Sequence, residues 1–506
     1  MQAGYNLYKN ASHVVIIGGG LGGLQCGYIL AKNGLRVTVL EQDVRLGGCL
    51  QSFRRGQGVF DTGFHYVGGL REGESLHGLF KYFNLLDLPW VQLDEDCFDE
   101  VVIGEQSYPF ATGHKRFVER LAEFFPHERQ QLAQYAELLR QTGEHITEPF
   151  LLPEGAPRFA DKLFSISAYS YLNSTISNPL LRKVLSGTSL KMELTEKLPL
   201  YVFSQINNSY IESAWRLRGG GQMIAEHLAA SIREMGGEVR TKAQVSRLHE
   251  KDGKVVGVTI GTGEYICADV VIASLHPQSL MQLLDENTSM RHIYRRRINA
   301  LENTFGMFTA QLSLKPETVP YLNRNIYVYS ENADPWHLHT EQVEGVLVSF
   351  YQQPTDSSNN CDCLALDLLT PMRWQQVEQW ADTTKGKRGD SYVNFKKQKI
   401  EECLAHVADR LPLLSSAIDR AYSSTPITYN YYTSASKGSA YGIAKDYASL
   451  DTTILSPMTP LQSLLLTGQN LNLHGVLGTS MTSVLTCARI LGIDQLRQDM
   501  DIAHWR

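Results

Sequence analysis

Two kinds of hydrophobic period alternate along this chain. Near the N-terminus, Val14 to Ile17 form a short β-branched apolar run, the glycine-rich segment Gly18 to Gly23 follows, and Leu24 to Asn33 reads as a helix. A second apolar run, Arg36 to Leu40, ends at Glu41. The order strand, glycine turn, helix, strand over about 30 residues predicts a βαβ unit. Further along, Phe117 to Arg140 has a helical pattern broken at Pro126, and Met223 to Met235 reads as an amphipathic helix after Leu217-Arg218-Gly219-Gly220-Gly221. Short strands are expected at Glu238 to Arg240, Ala243 to Leu248 and Lys254 to Ile260, with a turn at Asp252-Gly253. A buried strand is expected at Asp269 to Ala273, leading to Ser274 and His276-Pro277. Phe305 to Leu314 and Gly345 to Tyr351 read as strands, and Phe395 to Leu411 as a helix. Leu464 to Leu466 then run into a glycine turn at Gly468, and Gly475 to Gly478 open a helix extending from about Thr479 to Leu491.

Gly18, Gly20 and Gly23 fit the G-x-G-x-x-G spacing, with Gly22 between them. The first permits a tight turn, the second lets a phosphate approach the backbone, and the third lets helix and strand pack closely, with Gly27 one turn further on. The helix N-terminus then offers unpaired N–H groups to a pyrophosphate. Glu41, 18 residues after Gly23, is placed to accept both ribose hydroxyls of an adenosine and to repel a 2′-phosphate, which disfavours NADP at this site. Gln42 follows it, and Gly47-Gly48 come soon after. A second glycine pair so close to the ribose carboxylate is a mark of flavoproteins, whose chain passes near an extended FAD, and it selects FAD over NAD here. The late helix opening at Val476 and Leu477, after Gly468 and Gln469, suits the flavin end, where negative charge develops on reduction.

The fold class that follows is α/β: a two-dinucleotide-binding, Rossmann-like FAD domain with an interleaved α+β substrate domain. Residues 1–90, 215–285 and 415–506 are expected to form the discontinuous FAD domain, with Val245 touching adenine through its backbone. Residues 91–214 and 286–414 are expected to form the substrate domain.

Composition narrows the function classes. Of 506 residues 43% are hydrophobic and 20% charged, which excludes a mostly disordered chain. The balance of 47 basic to 53 acidic residues, net −6, leaves no basic excess for a nucleic acid. Eight cysteines are too few for a disulfide scaffold, and Cys361-Asp362-Cys363 is not a zinc spacing, so no metal is expected. No signal peptide is read at the N-terminus and no run of about 18 apolar residues suggests a membrane span. The expected location is the cytoplasm, with a peripheral position on the cytoplasmic membrane as the variant that an insoluble substrate asks for.

The stretch GGCLQSFRRGQGVFDTGFHYVGG (47–69) is similar to the corresponding stretch of the all-trans-retinol 13,14-reductases, or retinol saturases, within the phytoene-desaturase and carotenoid-isomerase flavoprotein superfamily. The shared features are Gly47-Gly48-Cys49, Phe53, Phe60-Asp61-Thr62-Gly63 and His65-Tyr66. Asn430-Tyr431-Tyr432 with Lys437-Gly438-Ser439-Ala440-Tyr441-Gly442, and Leu466-Thr467-Gly468-Gln469-Asn470 with Gly475-Val476-Leu477-Gly478, resemble the family's last two cofactor segments. Leu50 and Gln51 stand where the animal enzymes tend to carry Cys and His. The resemblance implies a noncovalent FAD enzyme acting on carbon–carbon double bonds of a lipophilic polyene or isoprenoid, as reductase or desaturase, with hydride transfer through flavin N5 and NAD(P)H or another electron donor as reductant. A carotenoid-type cis–trans isomerase using reduced FAD and a flavin amine oxidase share the scaffold, and Lys437 is the candidate lysine for the latter.

His65, in the stretch that the family brings near the flavin, is a candidate proton donor or orienting group, because imidazole titrates near neutrality. Tyr441 is a candidate phenolic donor at the substrate end. Tyr429, Tyr431 and Tyr432 have strand-like spacing and are expected to line a cavity, His474 and Asn472 to sit in the final turn, Arg295-Arg296-Arg297 to form a solvated face and Lys385-Gly386-Lys387-Arg388 a loop. For membrane delivery of the substrate, the candidate docking region is 161–215, where Leu163, Phe164, Ile166, Tyr169, Tyr171 and Leu172 mix with Arg182 and Lys183. The competing reading makes these residues core.

Overall fold

The computed structural model describes residues 8, 10–56, 58–338, 348–352 and 363–505. Its N-terminal βαβ unit nucleates a five-stranded, all-parallel sheet. The strand order is Glu238–Arg240, Arg36–Leu40, His13–Ile17, Val270–Ala273, Leu464–Leu466. In register, Val15 stands between Thr38 and Val271, and Ile272 faces Leu465. A sheet covered on both faces wants continuous apolar strands, and His13–Ile17 and Val270–Ala273 are buried throughout. Three separate parts of the chain thus contribute strands to one sheet. On one side the Leu21–Lys32 helix is sandwiched between Gln222–Glu234 and Gly475–Leu491. The approach is close: a Cβ at Gly27 would come 2.9 Å from Ile232 Cδ1. Fully buried side chains such as Leu24, Ile29, Ile232 and Val484 each contribute about 1.5–3 kcal/mol of burial.

A second, seven-stranded sheet has the order Ile418–Ser424, Gly306–Leu314, Ala365–Met372, Val348–Gln352, Asn325–Tyr329, Asp99–Ile103, Gln106–Phe110. It is antiparallel except where Asn325–Tyr329 runs beside Asp99–Ile103. Gly306–Leu314 is buried along all nine residues, which a strand flanked on both edges and both faces requires. Helices from Phe159 to Glu212 pack against this sheet's neighbourhood.

Several expectations shift. Ile418–Ser424 pairs with Gly306–Leu314, so the second sheet recruits a strand from beyond residue 414. Residues 345–347 of the expected strand at Gly345 lie outside the described residues; Val348–Gln352 is a strand. Tyr429, Tyr431 and Tyr432 are not on a strand but on the helix Pro426–Thr433. Pro426 at its first turn and a capping box between Thr425 and Thr428 start it, and these local signals outweigh the alternation. The expected docking residues Leu163 and Leu172 are buried in the core, and Phe164, Ile166, Tyr169 and Tyr171 pack against it, so this stretch is scaffold. No helix among the described residues is long and apolar enough to cross a membrane.

Candidate active site

A cavity opens where the glycine turn, the Gly47-Gly48 turn, the Gly468 turn and the N-terminus of Gly475–Leu491 converge. Gly18 has φ +102, and a Cβ there would meet the Ser274 carbonyl oxygen at 2.7 Å. At Gly23 a Cβ would lie 2.0 Å from the Gly18 carbonyl oxygen. Both glycines are therefore demanded by packing. Gly20 differs. A Cβ there would meet only the Gly47 carbonyl oxygen, at 4.0 Å, and would otherwise project into open space on the cavity wall. Gly20 also N-caps the Leu21–Lys32 helix with no side-chain cap, so its first N–H groups are available to an anion. The open space at Gly20 and the uncapped helix N-terminus fit the pyrophosphate of FAD.

Gly22, Gly47, Gly48, Gly468, Gln469 and Val476 line the same cavity, as do His65 and Tyr441. Leu477 and Val245 do not: Leu477 is buried against the Leu21–Lys32 side, and Val245 lies in the core with Val15 and Leu40, on the strand Val245–Lys251. Glu41 stands at the end of its strand. Its Oε2 accepts from Gly19 N at 2.8 Å and its Oε1 from Asp43 N at 2.8 Å, while burial raises its carboxyl. Each oxygen keeps a lone pair. Gln42 is exposed beside it, its amide donating to Ser434 Oγ at 2.9 Å, and it faces a neighbouring cleft. Thr62 and Tyr429 line both the cleft and the flavin cavity.

His65 is half-buried on the cavity wall. Burial, then the Arg216 guanidinium, pull its imidazole down to about 3, so it is neutral at pH 7 and holds no acidic proton there. The expectation of a readily titrating donor is corrected accordingly; an orienting role stays compatible. Tyr441 donates its phenolic proton to the Leu190 carbonyl, and its ring packs on that of His474 at 4.6 Å. His474 is buried and held down to about 4; its Nε2–H donates to the Lys191 carbonyl at 3.0 Å. Lys437 is exposed and off the cavity wall.

Behind these residues lies a polar network that no local motif announces. Lys191 Nζ meets Asp99 Oδ2 at 2.7 Å with both side chains buried. Tyr66 OH donates to the same oxygen at 3.0 Å and lies 2.6 Å from Tyr327 OH, Asn325 Nδ2 donates to Asp99 Oδ1 at 2.9 Å, and Arg216 Nη2 donates to Asn325 Oδ1 at 2.8 Å. Lys191 also sits 4.2 Å from the Tyr210 ring centroid. A second buried cation, Lys445, donates to the carbonyls of Thr453, Asn470 and Leu471 at 2.7–2.9 Å and so pins the Gln469–Leu471 turn; burial lowers it to about 7.

The family model for flavin-containing amine oxidoreductases matches residues 21–319, more than half of the chain. The chain belongs to the flavin-containing amine oxidoreductase family. It is an FAD-dependent oxidoreductase. All-trans-retinol 13,14-reductase of Rattus norvegicus is 26% identical, over 94% of this chain and 85% of that protein. 4,4′-Diaponeurosporene oxygenase of Staphylococcus aureus is 24% identical, over 65% of this chain and 68% of its own length. Among solved structures, cyclohexylamine oxidase of Brevibacterium oxydans covers 96% of this chain and all of its own with a TM-score of 0.61 at 15% identity, which establishes the shared fold. In this member of the flavin-containing amine oxidoreductase family, no Lys, Arg, Asp or Glu is among the described residues lining the cavity.

Proposed function

We propose that this chain is an FAD-dependent reductase of carbon–carbon double bonds in a lipophilic polyene, of retinoid or carotenoid type. The observation that carries the reading is the composition of the cavity wall facing the second sheet: Leu190, Met307, Leu369, Tyr429 and Tyr441, uncharged throughout. A protonated amine would find no carboxylate there, whereas an apolar chain loses water against these side chains at a gain of about 25 cal/mol per Å². The full-length likeness to a retinol reductase supports the same substrate class.

When bound, FAD supplies hydride transfer at N5. The protein's part is to hold and exclude. Gly20 and the two helix N-termini would hold the pyrophosphate and the flavin end, and Glu41 the ribose. His65, neutral, orients groups at the cavity wall without carrying charge. Tyr441 is the phenol nearest the substrate side, its proton held toward the Leu190 carbonyl. Delivery of so insoluble a substrate calls for a membrane or carrier in the cytoplasm, and Leu163 and Leu172, being buried, are not the side chains that would meet it.

The test is anaerobic reduction of the purified yellow protein followed by mixing with all-trans-retinol, a carotenoid or a primary amine. A product two hydrogens heavier supports the reductase. An isomer of unchanged mass would make it a cis–trans isomerase. Hydrogen peroxide with ammonia from the amine in air would make it an amine oxidase.

A further inference from the structure

We propose that the cleft beside the flavin cavity is a binding site for a nicotinamide dinucleotide, held through its phosphates. The cleft measures about 1630 Å³ and is walled by the 42–45 and 51–55 segments, the edge strand Ile418–Ser424, and the 385–400 segment. The protein as a whole is net negative, yet the cleft gathers seven cations against two acids, Asp43 and Asp390. Five of the cations come from one loop and the helix after it: Lys385, Lys387, Arg388, Lys396 and Lys397; Arg45 and Arg55 face them.

None of these seven is among the described residues' ion pairs within 4.0 Å, in contrast to arginines such as Arg240 with Glu264 and Arg247 with Asp285. They lean on neutral groups instead. Arg45 donates to the Ser52 carbonyl, Arg388 to the carbonyls of Trp380 and Thr383, and Lys396 sits 5.4 Å from the Tyr392 ring centroid. Burial and the Arg388 charge lower Lys396, so an anion there would relieve both costs. A concave wall of uncompensated Lys and Arg, flanked by the hydroxyls of Ser52, Ser423 and Ser424, is chemistry for phosphate and poor chemistry for a polyene.

Two further features choose among phosphate ligands. Tyr431 and Tyr432 stand edge to face at 5.0 Å, with Lys385 Nζ 5.0 and 4.5 Å from their centroids; Tyr431 is 55% exposed and offers a ring for a base to stack on. And the cleft shares Thr62 and Tyr429 with the flavin cavity, so a ligand filling it reaches the flavin's neighbourhood. A phosphate-bearing molecule with stackable bases, long enough to reach that wall, is a dinucleotide. The inference rests on the reductase reading only in that a reductase needs an outside source of electrons.

The experiment titrates the FAD-loaded protein with NADPH and NADH and follows nicotinamide fluorescence. Saturable binding is expected, weakened by salt and displaced by pyrophosphate. The double variant Lys385→Glu/Lys397→Glu should lose affinity at least about tenfold, and Tyr431→Ala several-fold, with FAD content unchanged as the control for folding. Absent saturable binding, or binding undiminished in both variants at full FAD content, overturns the inference. So does salt-sensitive co-sedimentation with phosphatidylglycerol vesicles without dinucleotide binding, because the cleft is then a lipid-headgroup site. Failure of this inference is separable from failure of the reductase reading: chemically reduced protein that saturates a polyene without binding a dinucleotide sinks only the former, and dinucleotide binding without polyene turnover sinks only the latter.

Discussion

Gly20 and Gly23 look alike in a sequence motif and do different work in three dimensions. A methyl at Gly23 would drive into the Gly18 carbonyl oxygen at 2.0 Å, and main chain must move. A methyl at Gly20 meets only Gly47, at the edge of van der Waals range, and occupies the cavity. Gly23→Ala is therefore expected to destabilise the apoprotein, whereas Gly20→Ala should leave its unfolding midpoint nearly unchanged and weaken FAD. Equal loss of apoprotein stability in both would contradict the assignment of Gly20 to the cofactor. Glu41 is the second residue-scale test. It organises the turn through Gly19 and keeps lone pairs for the ribose, so Glu41→Ala should weaken FAD by about 1–3 kcal/mol, read by titrating FAD into apoprotein. Unchanged affinity in a folded variant would remove Glu41 from the ribose. These residues stand out by spacing alone, because a phosphate against a helix N-terminus needs small residues at fixed offsets.

Elements that pair locally were also legible: the βαβ unit, the helix broken at Pro126 and the buried run Gly306–Leu314 are where period and turn residues put them. Legibility ends where the partner is distant. Asp99 and Lys191 are 92 residues apart, one on a strand of the second sheet and the other in a one-turn helix, and neither sits in a recognisable motif. Their pairing follows from the sheet order, which length and pattern do not dictate. Tyr429, Tyr431 and Tyr432 do line a cavity, as expected, but from a helix: alternation over four residues is too short to outvote Pro426 and the Thr425 cap. The buried pair gives a prediction at this scale. Asp99→Asn strands the Lys191 charge among Tyr66, Phe98 and Tyr210 and should cost about 3–5 kcal/mol in urea unfolding. Asp99→Asn/Lys191→Met removes both charges and should recover much of that loss; a double variant as unstable as the single would mean that the cost is lost packing rather than an orphaned charge.

Across the whole molecule, burial sets titrating groups against each other. Desolvation, above all, lowers His276 and His474 to about 4 and raises Asp61 to about 6 and Glu193 to about 7. The histidines have folded values below their unfolded value of 6.5, so their contribution is present above that pH and is lost as pH falls toward 4. The carboxyls have the opposite sign: their contribution is present below their unfolded values and is lost as pH rises through about 6 to 7. The wild-type profile sums both and identifies neither, but differences between variants isolate each. In His474→Gln, which can still donate to the Lys191 carbonyl, wild type should lose about 2–3 kcal/mol relative to the variant between pH 7 and pH 4.5. In Asp61→Asn, whose amide oxygen can still accept from Ser52 Oγ and Gly221 N, the variant should instead gain on wild type as pH rises from 4 to 7. Urea titrations at fixed FAD across that range give both slopes. Differences that stay flat with pH for both variants would show that His474 and Asp61 are solvated in the folded protein, and that the ring packing of Tyr441 on His474 is wet rather than dry.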